Sequence, residues 1–135
     1  VGIAGLYAGI RWLTDQGIDR IHREEMALTE QLKDGLNKIE NVICYCADDL
    51  TDHIGVLSFN IRGFEAVNVG TILDGDYNIA CRTGLQCAPL VHQQIGTDLL
   101  QGTVRMGFGP FNTEAQVDYA IKAISEIAGY YAKKG

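Results

Sequence analysis

The sequence predicts an α+β fold in which helices cover a mainly antiparallel sheet. The predicted order of elements is helix, helix, strand, strand, helix, strand, loop, strand, helix, so four short strands accompany helices that can cover one sheet face. The 135 residues are enough for one hydrophobic core. With 47% apolar and 21% charged residues, and no repeat or linker, we treat residues 1–135 as a single domain.

Two helices are predicted at the start of the chain. Apolar residues recur at helical spacing over residues 1–14, and Gly17 is suited to end that helix. A long amphipathic stripe over residues 21–39 predicts the second helix, with Asp19 as its N-cap.

Two β-prone runs follow, at residues 42–46 and 56–61. The second run alternates, with Ser58 and Asn60 on a polar face that we expect to be half exposed. Its apolar face carries Leu57, Phe59 and Ile61.

The next segment is predicted to be a short helix that ends at the turn signal of residues 74–76, followed by a brief strand over residues 77–81. Residues 88–101 are polar and contain Pro89, so we expect a loop with at most one helical turn near residues 90–94.

Alternation over residues 103–108 predicts the last strand, with Arg105 on the face opposite Val104. Thr113 and Gln116 form a capping box that opens a final helix. Its predicted buried stripe comprises Val117, Ala120, Ile121, Ile124, Ile127 and Tyr131.

The composition excludes several classes of function. A net charge of -6 lacks the basic surface that nucleic-acid binding requires. The apolar segment at the start of the chain ends at Arg11. It is too short for a membrane span and lacks the basic flank of a signal peptide. We therefore expect a chain cut from a longer, cytoplasmic protein. Cys44 and Cys46 have no second pair or nearby histidine, so we expect structural thiols and no metal site.

Candidate chemistry concentrates around Cys87, which lies between Arg82 and Arg105 in the sequence. Nearby cations favour a reactive thiolate, and arginine binds a carboxylate through two parallel hydrogen bonds. The residues alone leave an inert thiol and ordinary surface ion pairs open. His92, five residues after Cys87, is a candidate for proton transfer, with an ordinary loop histidine as the alternative.

Three motifs together resemble the C-terminal small domain of class V aminotransferases, in particular the cysteine desulfurase and selenocysteine lyase branch. They are RTGxxCAP at residues 82–89, GTVR at 102–105 and FNTE at 111–114. The resemblance covers essentially the whole chain and implies the small domain of a fold-type I enzyme.

The resemblance also implies an activity. Members of that branch are homodimers that use pyridoxal phosphate to take sulfur from L-cysteine, leaving L-alanine and an enzyme persulfide that a sulfur-acceptor protein can receive. Cys87 would form the persulfide, and Arg105 would hold the substrate carboxylate. Arg82 would support the same carboxylate or shape the Cys87 turn.

The chain departs from that family in two respects. The lysine that holds the cofactor belongs to the family's large domain, so we expect this chain alone to bind no cofactor and to be inactive. Leu85 and Gln86 occupy positions that are often histidines in the best-known desulfurases, which leaves the choice of sulfur or selenium and the acceptor open. Two alternatives also stay open: a class V enzyme acting on another amino acid, and a stand-alone thiol carrier.

Overall fold

The computed structural model describes the backbone of residues 1–132 and the side chains of residues 1–130. The predicted contribution of Tyr131 to a buried stripe therefore lies outside the described side chains. The elements in chain order are α1 (Gly2–Gln16), α2 (Ile18–Leu36), β1 (Val42–Tyr45), β2 (Val56–Ile61), α3 (Ala66–Tyr77), β3 (Arg82–Gly84), α4 (Pro89–Gln94), β4 (Thr103–Gly107) and α5 (Glu114–Ala132).

The four strands form one sheet in the order β1-β2-β4-β3, and every neighbouring pair is antiparallel. Helix α5 contacts α2 and α3, and α2 and α3 contact the sheet, so the three helices together cover its apolar face. The predicted α+β class and antiparallel sheet are confirmed. The opposite face of the sheet carries the polar residues of β2 and β4.

The core lies between the apolar sheet face and these helices. Fully buried contributors include Leu32 and Leu36 from α2, Phe59 from β2, Val104 from β4 and Ile124 from α5. Burying one such side chain contributes about 1.5–3 kcal/mol. This packing fixes which face of β2 and β4 points away from the helices.

Four predictions about local structure were wrong. Helix α2 begins directly after Gly17, so Asp19 lies in the first turn of the helix and is not its N-cap. A carboxylate in the first turn interacts favourably with the helix dipole. Helix α3 continues through residues 74–76 and ends at Asn78, whose φ of 55° stops the helix. The expected strand over residues 77–81 is absent: Tyr77 is the last residue of α3, residues 78–81 have no regular secondary structure, and β3 begins only at Arg82.

The fourth error concerns the polar face of β2. Ser58 is half-buried as expected, but Asn60 is completely buried. The buried amide donates a hydrogen bond to the Gly102 carbonyl, just before β4, which compensates part of the cost of its burial. By contrast, the capping box is confirmed: the Thr113 N–H donates to Gln116, and the Gln116 N–H donates to the Thr113 hydroxyl.

Helix α1 differs from the other helices because none of its residues is buried. Its large apolar side chains are exposed, from 41% for Leu13 to 88% for Ile3, except that of Trp12, which is half-buried and packs against the Phe111 ring. None of the helices within residues 1–132 combines the length and hydropathy needed to cross a membrane.

Candidate active site

Arg82 and Arg105 lie directly opposite each other on β3 and β4. In an antiparallel pair, opposite residues project to the same face with their Cβ atoms about 4.5–5.5 Å apart. Val104 and Met106, the neighbours of Arg105, are buried in the core, so the two arginines lie on the polar face. Ser58 of β2 pairs with Arg105 from the other side and shares that face.

Neither arginine has an acidic partner among the residues that the structure describes. The two ion pairs found there join Arg20 to Glu24 and Lys122 to Glu126. Two like charges directly opposite each other on a sheet are destabilising unless an anion lies between them. In a chain with a net charge of -6, this uncompensated pair is suited to bind a small carboxylate or similar anion.

Cys87 lies at the tip of a tight turn that follows β3. The Ala88 N–H donates to the Leu85 carbonyl at 2.8 Å, and the two central residues, Gln86 and Cys87, have φ values of 51° and 61°. Non-glycine residues with positive φ cost free energy, about 1–3 kcal/mol each, and they cluster at functional sites. The turn leaves the Cys87 thiol exposed.

The other three cysteines are half-buried. Burial, with a smaller effect of neighbouring Cys46, raises the pKa of the Cys44 thiol to about 11. Burial, followed by the nearby Asp74 carboxylate, also raises the pKa of the Cys81 thiol. A thiol with a raised pKa is a poor nucleophile at neutral pH, which disfavours Cys44 and Cys81. Cys87 is the one exposed residue among the four cysteines and is therefore the best placed for chemistry.

Two contacts tie the Cys87 turn to the start of β4. The Gln86 Nε2 donates to the Thr103 carbonyl at 3.3 Å. Gly102, with a φ of 95°, lies against the start of the turn so closely that a Cβ there would be 2.1 Å from the Gly84 carbonyl oxygen. The turn is therefore attached to the same strand that carries Arg105.

His92 lies on α4 and is buried, with 5% of its surface exposed. Its Nδ1 lies 2.7 Å from the Thr97 hydroxyl, and the Thr97 N–H donates to the His92 carbonyl. These contacts place the ring within the segment that returns to β4. A proton-transfer role for His92 stays a prediction.

The lysines that the structure describes do not form a site for pyridoxal phosphate. Lys33 donates to the Ala47 and Asp48 carbonyls beside β1, at the edge of the sheet opposite β3. Lys122 pairs with Glu126 on α5, and Lys38 is exposed after the end of α2. None of these three lysines belongs to β3, β4 or the Cys87 turn, so they do not fit a covalently held cofactor beside the arginine pair.

The structure thus brings Arg82, Arg105 and the Cys87 turn to one edge of the sheet. Two further residues lie in contact with this arrangement and were not predicted as functional: Asn60, which donates to the Gly102 carbonyl, and Gly102, which lies against Gly84. In the sequence, Gly102 is part of the GTVR motif and Asn60 is a polar residue of the alternating run of β2, and neither pattern indicates a functional role. Their role depends on a contact between residues 42 positions apart, which no local pattern shows.

Comparison with known proteins identifies the family of the chain. Residues 1–120 match the sequence profile of the family described as Aminotransferase class-V. The chain belongs to the class V aminotransferase family.

Relatives of this class V chain are cysteine desulfurases. A probable cysteine desulfurase of Methanothermobacter thermautotrophicus is 33% identical over 128 residues, which cover 95% of this chain and 32% of that protein. A probable cysteine desulfurase of Pyrococcus abyssi is 32% identical, over 93% of this chain and 30% of that protein. The chain spans about a third of the length of these curated relatives.

Solved structures show the same relationship. The apo cysteine desulfurase of Thermococcus onnurineus matches with a TM-score of 0.86 and 36% identity, over 93% of this chain and 30% of that one. The cysteine desulfurase CsdA of Escherichia coli, in its S-sulfonic acid form, matches with a TM-score of 0.80 and 28% identity, over 93% and 29% of the two chains. The class V chain therefore shares its fold with part of each of these enzymes.

Proposed function

We propose that this chain is the C-terminal small domain of a cysteine desulfurase that takes sulfur from L-cysteine, releases L-alanine and carries the sulfur as a persulfide on Cys87. The observation that carries this proposal is the arginine pair without acidic partners on the strands that flank the Cys87 turn. The desulfurase relatives supply the substrate class.

The arginine pair supports recognition of an amino acid. A carboxylate between Arg82 and Arg105 would relieve their mutual repulsion and accept charge-assisted hydrogen bonds from both. Because both arginines belong to paired strands, the bound carboxylate would have a fixed position. Holding one end of a substrate in this way positions its reacting atom.

The exposed thiol supports sulfur transfer. Cys87 would form a bond between its Sγ and the substrate sulfur while the substrate's carbon–sulfur bond breaks. The carbon receives a proton in place of sulfur, so one thiol and one cysteine give one persulfide and one alanine. A covalent intermediate of this kind divides a difficult cleavage into two transfers.

The cofactor and further surfaces lie outside this chain in the proposal. Pyridoxal phosphate, which the family uses to activate the substrate, would be held by a large domain, so the 135-residue chain alone would be inactive. The exposed apolar face of α1 supports contact with such a domain. We include in the same proposal a cytoplasmic homodimer and a sulfur-acceptor protein that receives the persulfide.

The test is Cys87→Ala in the full-length enzyme, with Cys46→Ala as the matched control on the distant edge of the sheet. We expect Cys87→Ala to lose sulfur release from L-cysteine by at least about 100-fold, while its cofactor absorbance stays unchanged. Cys46→Ala should keep activity. Full sulfur release by Cys87→Ala would refute the proposal.

Product analysis separates the proposal from another class V activity. A desulfurase forms alanine from cysteine without any keto acid, whereas a transaminase needs a keto acid and returns its amino form. Keto-acid-dependent turnover without sulfur release would reassign the chain to an aminotransferase in which Cys87 is incidental.

A further inference from the structure

Asn60 is a buried polar residue on the face of β2 that carries the candidate site. It lies two residues after Ser58, the strand partner of Arg105, and has no exposed surface. Its Nδ2 donates to the Gly102 carbonyl at 2.9 Å. A carbonyl only accepts hydrogen bonds, so this contact fixes which end of the amide faces Gly102.

Gly102 connects Asn60 to the Cys87 turn because it contacts both. Its backbone lies against the peptide between Gly84 and Leu85, since a Cβ at Gly102 would be 2.1 Å from the Gly84 oxygen and 2.7 Å from the Leu85 nitrogen. That peptide opens the turn whose closing bond joins the Ala88 N–H to the Leu85 carbonyl. The Gly102 N–H donates to the Thr97 carbonyl, so both sides of the Gly102 residue are fixed.

The two ends of the Asn60 amide differ in their contacts. Within the part of the chain that the structure describes, the buried Oδ1 has no hydrogen-bond partner. A buried acceptor without a donor is destabilising, and such groups in native structures call for an explanation. Among the described residues, the bond to Gly102 is the one hydrogen bond that the Asn60 side chain makes.

We propose that Asn60 is a positioning residue that holds the Gly102 carbonyl and thereby keeps the Cys87 turn in place relative to Arg105. Asn60 acts through Gly102 and does not touch the substrate. Its kinetic consequence rests on the proposed desulfurase function, whereas its effect on the turn does not.

The test is Asn60→Ala in the full-length enzyme, with Ile61→Val as the control. Ile61 is the next residue of β2, is buried in the core and faces away from Gly102, so its variant loses stability without touching the turn. We expect Asn60→Ala to lower kcat by about 10- to 100-fold, because small displacements of a reacting group have effects of this size. KM should change by less than about 2-fold, since β3 and β4 keep the arginines paired.

Amide hydrogen exchange provides a readout that does not require catalysis. In Asn60→Ala the Ala88 N–H should exchange at least about 10-fold faster, while the amides of α5 stay as protected as in Ile61→Val. If Asn60→Ala does not fold, Asn60→Ser is used, because its shorter side chain also fails to reach the Gly102 carbonyl.

The outcomes separate the two proposals. Unchanged exchange at Ala88, or equal acceleration throughout α5, would overturn the positioning role. Faster exchange at Ala88 together with a lower kcat supports it. If the wild-type enzyme releases no sulfur but Asn60→Ala still loosens Ala88, the proposed function fails and the positioning role stands.

Discussion

Substituting Gly102 by alanine tests how tightly the Cys87 turn is attached to β4. The new Cβ would lie 2.1 Å from the Gly84 oxygen and 2.2 Å from the Gly84 carbonyl carbon, both of them backbone atoms that have no rotamer to change. Cβ contacts below 3.0 Å are essentially never found, so the turn must shift by about 0.9 Å. The φ of 95° adds strain for any side chain.

The collision and the backbone strain lower the stability of the folded protein, and the shift of the turn lowers the rate. A left-handed backbone costs an L-residue about 1–2 kcal/mol, and overpacking adds about 1–3 kcal/mol. A displacement close to 1 Å at a reacting group lowers a rate by about 100-fold. We therefore expect Gly102→Ala to lower the kcat for sulfur release from L-cysteine by about 100-fold in the full-length enzyme.

Gly96→Ala is the matched control. Gly96 also has a positive φ, of 71°, but a Cβ there would meet no atom within 4 Å. This variant carries the backbone strain without the collision, so its kcat should stay within about 3-fold of the wild type, a change of less than 1 kcal/mol in the barrier. Equal kcat values for Gly102→Ala and Gly96→Ala would refute the reasoning that the contact with Gly84 places the turn.

Two further predictions concern the charges and thiols. Arg82→Gln in the full-length enzyme should raise the KM for L-cysteine by about 10- to 100-fold, because a hydrogen bond to a charged group contributes about 1.5–3 kcal/mol. Arg62→Gln, at an exposed arginine outside the pair, should leave the KM unchanged. An equal KM in both variants would contradict the carboxylate site. Burial raises the pKa of Cys44 from 9.0 to about 11. Between pH 9 and 11 the unfolded chain therefore binds fewer protons than the folded one, and the free energy of unfolding should fall as the pH rises. Urea unfolding of Cys44→Ala should show a smaller fall over this range, and an identical fall would show that the Cys44 thiol keeps its ordinary pKa.

The sequence was sufficient for the elements whose patterns are local. The alternation of β2 correctly placed Leu57 and Phe59 in the core, and the capping box correctly opened α5 at Glu114. The end of α3 was misplaced because residues 74–76 read as a turn, although Leu73 and Val69 pack in the core and an αL cap at Asn78 allows the helix one more turn.

The candidate site was predictable only in part. The sequence indicated Arg82, Cys87 and Arg105 as candidate site residues, and the motifs that contain them resemble those of class V aminotransferases. The direct pairing of Arg82 with Arg105 depends on the register between β3 and β4, which is set by the packed sheet and not by either strand alone. The link from Asn60 to Gly102 is likewise a tertiary contact.

The central claim is that Cys87 receives the sulfur of L-cysteine. The most direct measurement is peptide mass spectrometry of the full-length enzyme after a single turnover with L-cysteine labelled with a heavy sulfur isotope. We predict one added labelled sulfur atom on the peptide that contains Cys87, removable by a reducing thiol, and none on the peptides that contain Cys44, Cys46 or Cys81. Labelled sulfide released while the Cys87 peptide stays unlabelled would contradict the claim.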